Sequence, residues 1–143
     1  MRTRRILGYT TVLVTLAAVL YLAQQATTPA HTPPDYTGQQ LCGKDYPVVD
    51  QHRIKTGDTS ATVYLGYSSA SRSYCAVTVR ADHSAAAPMS VFLQTGDHPQ
   101  DTGTSATADH AGPVFTYAKT QCVTWGGRLQ NTGWTGPHRH CAP

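Results

Sequence analysis

The sequence contains no glutamate, so all eight of its acidic residues are aspartates. Helix interiors favour Glu over Asp, whereas Asp is common in turns. No segment of the chain has the convincing period of an amphipathic helix. These two absences argue against a helical domain and favour strands that are joined by turns.

Three chemical signatures are also missing. The chain has no CxxC motif or paired Cys/His spacing, which argues against a structural zinc site. It has no GxSxG nucleophile elbow, and a glycosidase built here would have only aspartates, most of them in turn-like sequence. We therefore predict that the protein is not an enzyme, has no catalytic residues and uses no cofactor.

The beginning of the chain has the pattern of an export signal. Three arginines within residues 2–5 precede an apolar run over residues 6–23, and small residues lead to Ala30. This order predicts a signal peptide over residues 1–30 and a secreted, extracellular protein. The alternative is a retained anchor, because the run is almost long enough to span a bilayer. We expect membrane contact only in that case.

Charge and composition change after the signal. The chain carries 11 Lys and Arg against 8 Asp, and three of the arginines lie in the signal, so the remainder is balanced. Its basic residues are scattered, which argues against nucleic-acid binding. Residues 31–41 are polar and interrupted by prolines, and we predict a linker there, followed by one β domain over residues 42–143.

The four cysteines all lie in the predicted β domain, at Cys42, Cys75, Cys122 and Cys141. Even numbers of cysteine in an exported chain predict disulfides, which allow three pairings here. We favour Cys42–Cys75 with Cys122–Cys141, the pairing with the shorter loops. Each bridge would contribute about 3–4 kcal/mol of stability.

Strand-like sequence recurs along this domain. Alternation places Val63, Leu65 and Tyr67 on one strand face and Cys75, Val77 and Val79 on one face of the next. The predicted strands cover residues 47–49, 62–67, 74–80, 89–93, 114–118 and 121–125. Residues 68–73 are typical of a hairpin loop, and residues 95–112 of a long exposed loop. The predicted fold is all-β, a small disulfide-stapled sandwich or barrel that follows a cleavable signal helix.

Aromatic residues suggest one possible binding face. Tyr64 and Tyr74 lie opposite the core residues of their strands, and with Trp134 they could bind a carbohydrate or a protein. If a second sheet covers that face, the tyrosines belong to the core instead. Trp125 is predicted to be a buried anchor beside Cys122.

Histidines offer weak candidates for a metal site. His138 and His140 would point to the same face of a strand and could bind copper or zinc with His110 or His98. The alternative is a solvated tail beside a disulfide. We predict no metal site, because exposed imidazoles usually bind no ion.

Several motifs resemble the spore-associated protein A family, small exported proteins of filamentous actinobacteria. AGPVFTYAKTQCVTWGG (residues 111–127), TVYLGYSSASRSYCAVTVR (62–80) and LCGKDYPVVD (41–50) are similar to the motifs of that family, as are Trp134 and Cys141 at the end. The chain departs from the pattern in a final insert before Cys141 and at Asp45, where the family usually has glycine. The resemblance implies a secreted, disulfide-stapled β domain at the cell or spore surface, and it implies no catalytic residues.

Three functions are compatible with these observations. The first is a non-enzymatic secreted protein that associates with the spore or cell surface through cell wall or spore coat components. The second is a secreted carbohydrate- or protein-binding module. The third is a small protease inhibitor, for which residues 84–88 or 95–112 could supply the exposed loop.

Overall fold

The computed structural model describes residues 37–81, 86–96, 100–105 and 109–143. The predicted signal peptide lies outside the described residues, as does most of the predicted linker. None of the helices in the described ranges is both long and apolar enough to cross a membrane. The elements are α1 (Gly38–Cys42), β1 (Val48–Thr56), β2 (Thr59–Ser68), β3 (Ser73–Arg80), β4 (Met89–Thr95), β5 (Asp101–Ser105), β6 (His110–Tyr117), β7 (Cys122–Leu129), β8 (Thr132–Thr135) and β9 (His140–Cys141).

The strands form two antiparallel sheets. Sheet 1 has the order β1-β2-β3-β6, and sheet 2 has the order β5-β4-β7-β8 with β9 also paired to β7. One core fills the space between them, and its large members with almost no exposed surface include Leu65, Val91, Leu93, Val123 and Trp125. The predicted all-β, disulfide-stapled fold is confirmed as a two-sheet sandwich.

Strand β3 is buried on both faces. Tyr74 and Ala76 belong to the core between the sheets, whereas Cys75, Val77 and Val79 form a second buried cluster on the outer face of sheet 1. Leu41, Tyr46 and Tyr64 pack against that second cluster. A strand with apolar residues on both faces needs two covers, and α1 with its neighbours supplies the second one.

The helix α1 forms at the end of the segment predicted to be a linker. Thr37 accepts a hydrogen bond from the Gln40 N–H at 3.3 Å, and Gln40 Oε1 accepts one from the Thr37 N–H at 2.6 Å. This capping box satisfies two free donors of the first turn. Gly38 has no side chain, and a Cβ there would overlap the ring of Tyr64. The helix therefore lies directly against the sheet.

The favoured disulfide pairing is confirmed. Cys42–Cys75 joins α1 to β3 with 5.9 Å between the Cα atoms. Cys122–Cys141 joins two directly paired residues of β7 and β9, with 3.7 Å between the Cα atoms. The described residues contain no free cysteine.

The predicted long loop over residues 95–112 is wrong. It contains β5, which pairs with β4, and the first residues of β6. The sequence of β5, Asp-Thr-Gly-Thr-Ser, has the composition of a turn. Since β5 is the edge strand of sheet 2 and is largely exposed, backbone pairing holds it and apolar side chains are not needed.

Close contact between the sheets depends on Gly127 of β7. A methyl group at this position would lie 2.9 Å from the Ser90 carbonyl oxygen and 2.9 Å from Cγ2 of Val63, and it would overlap Oγ1 of Thr78. Only a hydrogen atom fits here, so glycine lets sheet 2 approach β2 and β3.

We expect Gly127→Ala to lower the free energy of unfolding by about 1–3 kcal/mol, because an added methyl group overpacks a filled core. Gly96→Ala is the matched control, since nothing lies within 4 Å of a Cβ at that position. Urea denaturation of both variants checks the prediction. Equal midpoints for the two variants would contradict it.

Candidate functional site

The structure does not gather Tyr64, Tyr74 and Trp134 on one exposed face. Tyr64 packs against the cluster under α1, on the outer face of sheet 1. Tyr74 is 3% exposed and lies in the core between the sheets, 4.7 Å from the Tyr67 ring. Trp134 is a half-buried residue of sheet 2. Tyr64 and Tyr74 therefore lie in packed clusters and not on an exposed binding face.

Burial has an electrostatic effect at Tyr74. Loss of solvent around the phenol raises the pKa of Tyr74 above its usual value of 10.0, and the neighbouring Tyr67 raises it further. Because the pKa of Tyr74 lies above 10.0, its phenol is mostly neutral in the folded protein up to at least that pH. This behaviour is that of a core tyrosine.

Trp134 joins the two sheets at one end of the sandwich. Its ring stacks on His52 of β1 with 4.0 Å between the centroids and 4° between the planes. It also meets Trp125 edge to face at 4.8 Å. These contacts give Trp134 a structural role between β1 and β7.

A polar contact lies beside this aromatic stack. Nε2 of His140 in β9 donates to Oδ2 of Asp50 in β1 at 2.7 Å, and both side chains are partly exposed. The His140 ring also meets Trp125 edge to face at 6.3 Å. A partly exposed contact of this kind contributes at most about 1 kcal/mol to the stability of the fold.

The two histidines of the HxH motif separate. Nδ1 of His138 lies 3.0 Å from Oγ1 of Thr124, whereas His140 reaches Asp50 of the other sheet. His110 begins β6, and His98 lies outside the described residues. Within the described part of the chain, no group of three or more His, Cys, Asp or Glu side chains could hold a metal ion.

The outer face of sheet 1 carries exposed aromatic rings along β6. Phe115 is 44% exposed and Tyr117 is 53% exposed, and they pair with Cys75 and Ser73 of β3. The Tyr46 ring meets Phe115 edge to face at 5.3 Å, and its hydroxyl is 2.8 Å from Oγ of Ser73. We call Tyr46, Phe115 and Tyr117 the aromatic patch. Exposed rings that adjoin one another are typical of interaction surfaces.

Sequence reasoning missed this patch. The alternation in Val-Phe-Thr-Tyr places Phe115 and Tyr117 on one face, and the buried Thr116 lies on the other. That period was the signal that could have identified it. However, alternation does not say which face is covered, and apolar residues are usually assigned to the core.

Fold and site together define a small, disulfide-bonded, two-sheet protein with an exposed aromatic patch. No family model matches the chain, and no solved structure matches it. The chain is 34% identical over 94 residues to spore-associated protein A of Streptomyces coelicolor, across 64% of this chain and 58% of that relative. The match spans less than two thirds of the relative's length. This similarity agrees with the resemblance between the motifs of the chain and those of the spore-associated protein A family.

We expect Trp134→Ala to lower the free energy of unfolding by about 2–3 kcal/mol, because it removes the ring between His52 and Trp125. Phe115→Ala is the comparison and should lower that free energy by less, about 1 kcal/mol, since Phe115 is 44% exposed and contacts only the Tyr46 ring among aromatic side chains of the described residues. Chemical denaturation followed by far-UV circular dichroism measures both. A larger loss of unfolding free energy for Phe115→Ala than for Trp134→Ala would contradict the structural role assigned to Trp134.

Proposed function

We propose that the protein is a non-enzymatic, secreted protein associated with the spore or cell surface. The observation that carries this proposal is the 34% identity to a protein named for its association with spores. Two disulfides support it, because such bonds persist in oxidising surroundings outside the cytoplasm.

Persistence outside the cell would be the basis of this function. Cys42–Cys75 ties α1 to the centre of sheet 1, and Cys122–Cys141 ties the last strand to β7. Both ends of the β domain are therefore held covalently. A loosened terminus is a common starting point for proteolysis, and these bridges restrict it.

The aromatic patch is the surface through which we expect the protein to contact the cell wall or spore coat. Phe115 and Tyr117 lie on an edge strand of sheet 1 and leave large apolar areas in contact with water. Covering this area with a partner releases that water and favours association.

The patch also favours a second candidate function, a secreted module that binds a carbohydrate or a protein. Aromatic rings at a surface pack on both sugar rings and protein side chains. The protease-inhibitor alternative gains no similar support. Much of the loop proposed for it is occupied by β5 and β6, and residues 84 and 85 lie outside the described residues.

The test is retention on washed spores and purified cell walls. We expect the wild-type protein to resist washing, and the double substitution Phe115→Ser with Tyr117→Ser to reduce the retained amount by about tenfold, since each ring contributes about 0.5–1.5 kcal/mol to a contact. Immunoblotting of the washed fraction measures it.

Asp58→Ser, in the exposed turn between β1 and β2, is the control and should be retained like the wild type. Absence of the wild-type protein from washed spores and walls would overturn the proposed function. Equal retention of the double variant and the control would instead show that the aromatic patch is not the contact surface.

A further inference from the structure

Sheet 2 has an outer face that no described element covers. Residues of β4, β7 and β8, together with Gln100, border a groove of about 500 Å³ on this face. Its lining comprises Ser90, Phe92, Gln100, Gly127, Arg128, Gly133, Trp134 and Thr135. The groove lies on the sheet opposite to the one that carries the aromatic patch.

Glycine at position 126 lets the Phe92 ring of this groove lie close to β7. A Cβ on Gly126 would lie 2.6 Å from Cε1 and 2.8 Å from Cζ of Phe92. The half-buried Phe92 ring therefore lies down across β7 instead of standing away from the sheet. A ring in this position can offer a face to a ligand in the groove.

Arg128, the only arginine among the described residues that line the groove, lies over a second glycine. A Cβ on Gly133 would lie 3.7 Å from Nε and 3.9 Å from Nη2 of Arg128, which is ordinary contact distance. The guanidinium group therefore extends over the backbone of β8, at the position paired with its own residue. Its N–H groups are accessible because Arg128 is exposed.

The groove continues beyond Arg128. A second depression of about 380 Å³ shares Ser90 and Arg128 with the first, and its other lining residues are Pro88, Met89, Thr104, Ser105 and Gln130. Arg128 thus stands between two depressions on one sheet face. This shape suits a chain-like ligand better than a single small molecule.

The charge of the lining selects among ligands. Arg128 is the one charged side chain among the described residues that line the two depressions, and the other polar groups are hydroxyls and amides. A guanidinium group binds a carboxylate through two parallel hydrogen bonds. Hydroxyls and amides pair with sugar hydroxyls, and the Phe92 ring packs on the apolar face of a sugar ring.

We propose that the outer face of sheet 2 binds an acidic polysaccharide whose sugars carry carboxylates, with Arg128 on a carboxylate and Phe92 under a sugar ring. Guanidinium groups also bind phosphate, but the glycerol phosphate repeat has no sugar ring to pack on Phe92, so poly(glycerol phosphate) is the competing ligand in the test. The inference deepens the proposed function, because it names a ligand class by which the protein would be held outside the cell.

The test is isothermal titration calorimetry of the secreted protein with polygalacturonate, poly(glycerol phosphate) and neutral dextran. We expect polygalacturonate to bind most tightly. Arg128→Gln should weaken it by about tenfold or more, because a charge-assisted hydrogen bond is lost. Arg72→Gln removes the same charge from the exposed turn between β2 and β3 and should leave the affinity unchanged.

Phe92→Ala separates ligand binding from a structural role. A ring that only covers Gly126 would lower the urea midpoint on removal and leave the affinity for polygalacturonate intact. We expect Phe92→Ala to bind polygalacturonate more weakly. The titration is done without denaturant, at a temperature where circular dichroism shows the variant to be folded. Unchanged affinity would overturn the role assigned to the ring.

The whole inference fails if the wild-type protein does not bind polygalacturonate, or if poly(glycerol phosphate) or dextran binds more tightly. It also fails if Arg72→Gln and Arg128→Gln weaken the binding of polygalacturonate equally. The affinity would then depend on the net charge of the protein and not on the position of Arg128. Retention of the wild-type protein on washed spores, without any polygalacturonate binding, would remove this inference and leave the proposed function intact. If the protein binds polygalacturonate but is absent from washed spores and walls, the proposed function is overturned and this inference stands.

Discussion

Burial of β3 on both faces is the constraint on which the rest of the structure depends. One face packs on sheet 2, and the other needs α1, which the Cys42–Cys75 bond holds in place. A helix of five residues has little stability of its own, so its position comes from the bond and the contact with Tyr64. This cover reaches β2 and β3 but stops short of β6, which is why Phe115 and Tyr117 remain in contact with water.

The sequence was sufficient for the sheet-forming alternation, which is written in local spacing. It left three cysteine pairings open, and the pairing with the shorter loops is the one that the structure has. The sequence was insufficient for the assignment of faces. The more apolar side of β3, with Cys75, Val77 and Val79, packs under α1, and the side with Tyr74 faces the second sheet. Periodicity shows that two faces differ, but only tertiary contacts show what covers each of them.

The candidate sites were harder to predict than the fold for the same reason. Trp134 meets His52 across the two sheets, and this contact joins residues that are far apart in the chain. The Phe92 ring lies over Gly126 because a side chain is absent there, and an absent side chain carries no apolar or charged pattern. Strand β5 was missed because edge pairing of a polar segment leaves no hydrophobic signature.

Both tryptophans of the chain sit in a single cluster where β1 meets β7 and β8. The two indole rings meet edge to face, and the imidazole of His52 stacks on Trp134, so both indoles share one environment. Fluorescence excited at the red edge of the absorption band, where tryptophan absorbs and tyrosine does not, consequently describes one location, the junction between the sheets. The molecule carries a built-in optical reporter of whether its two layers are still joined.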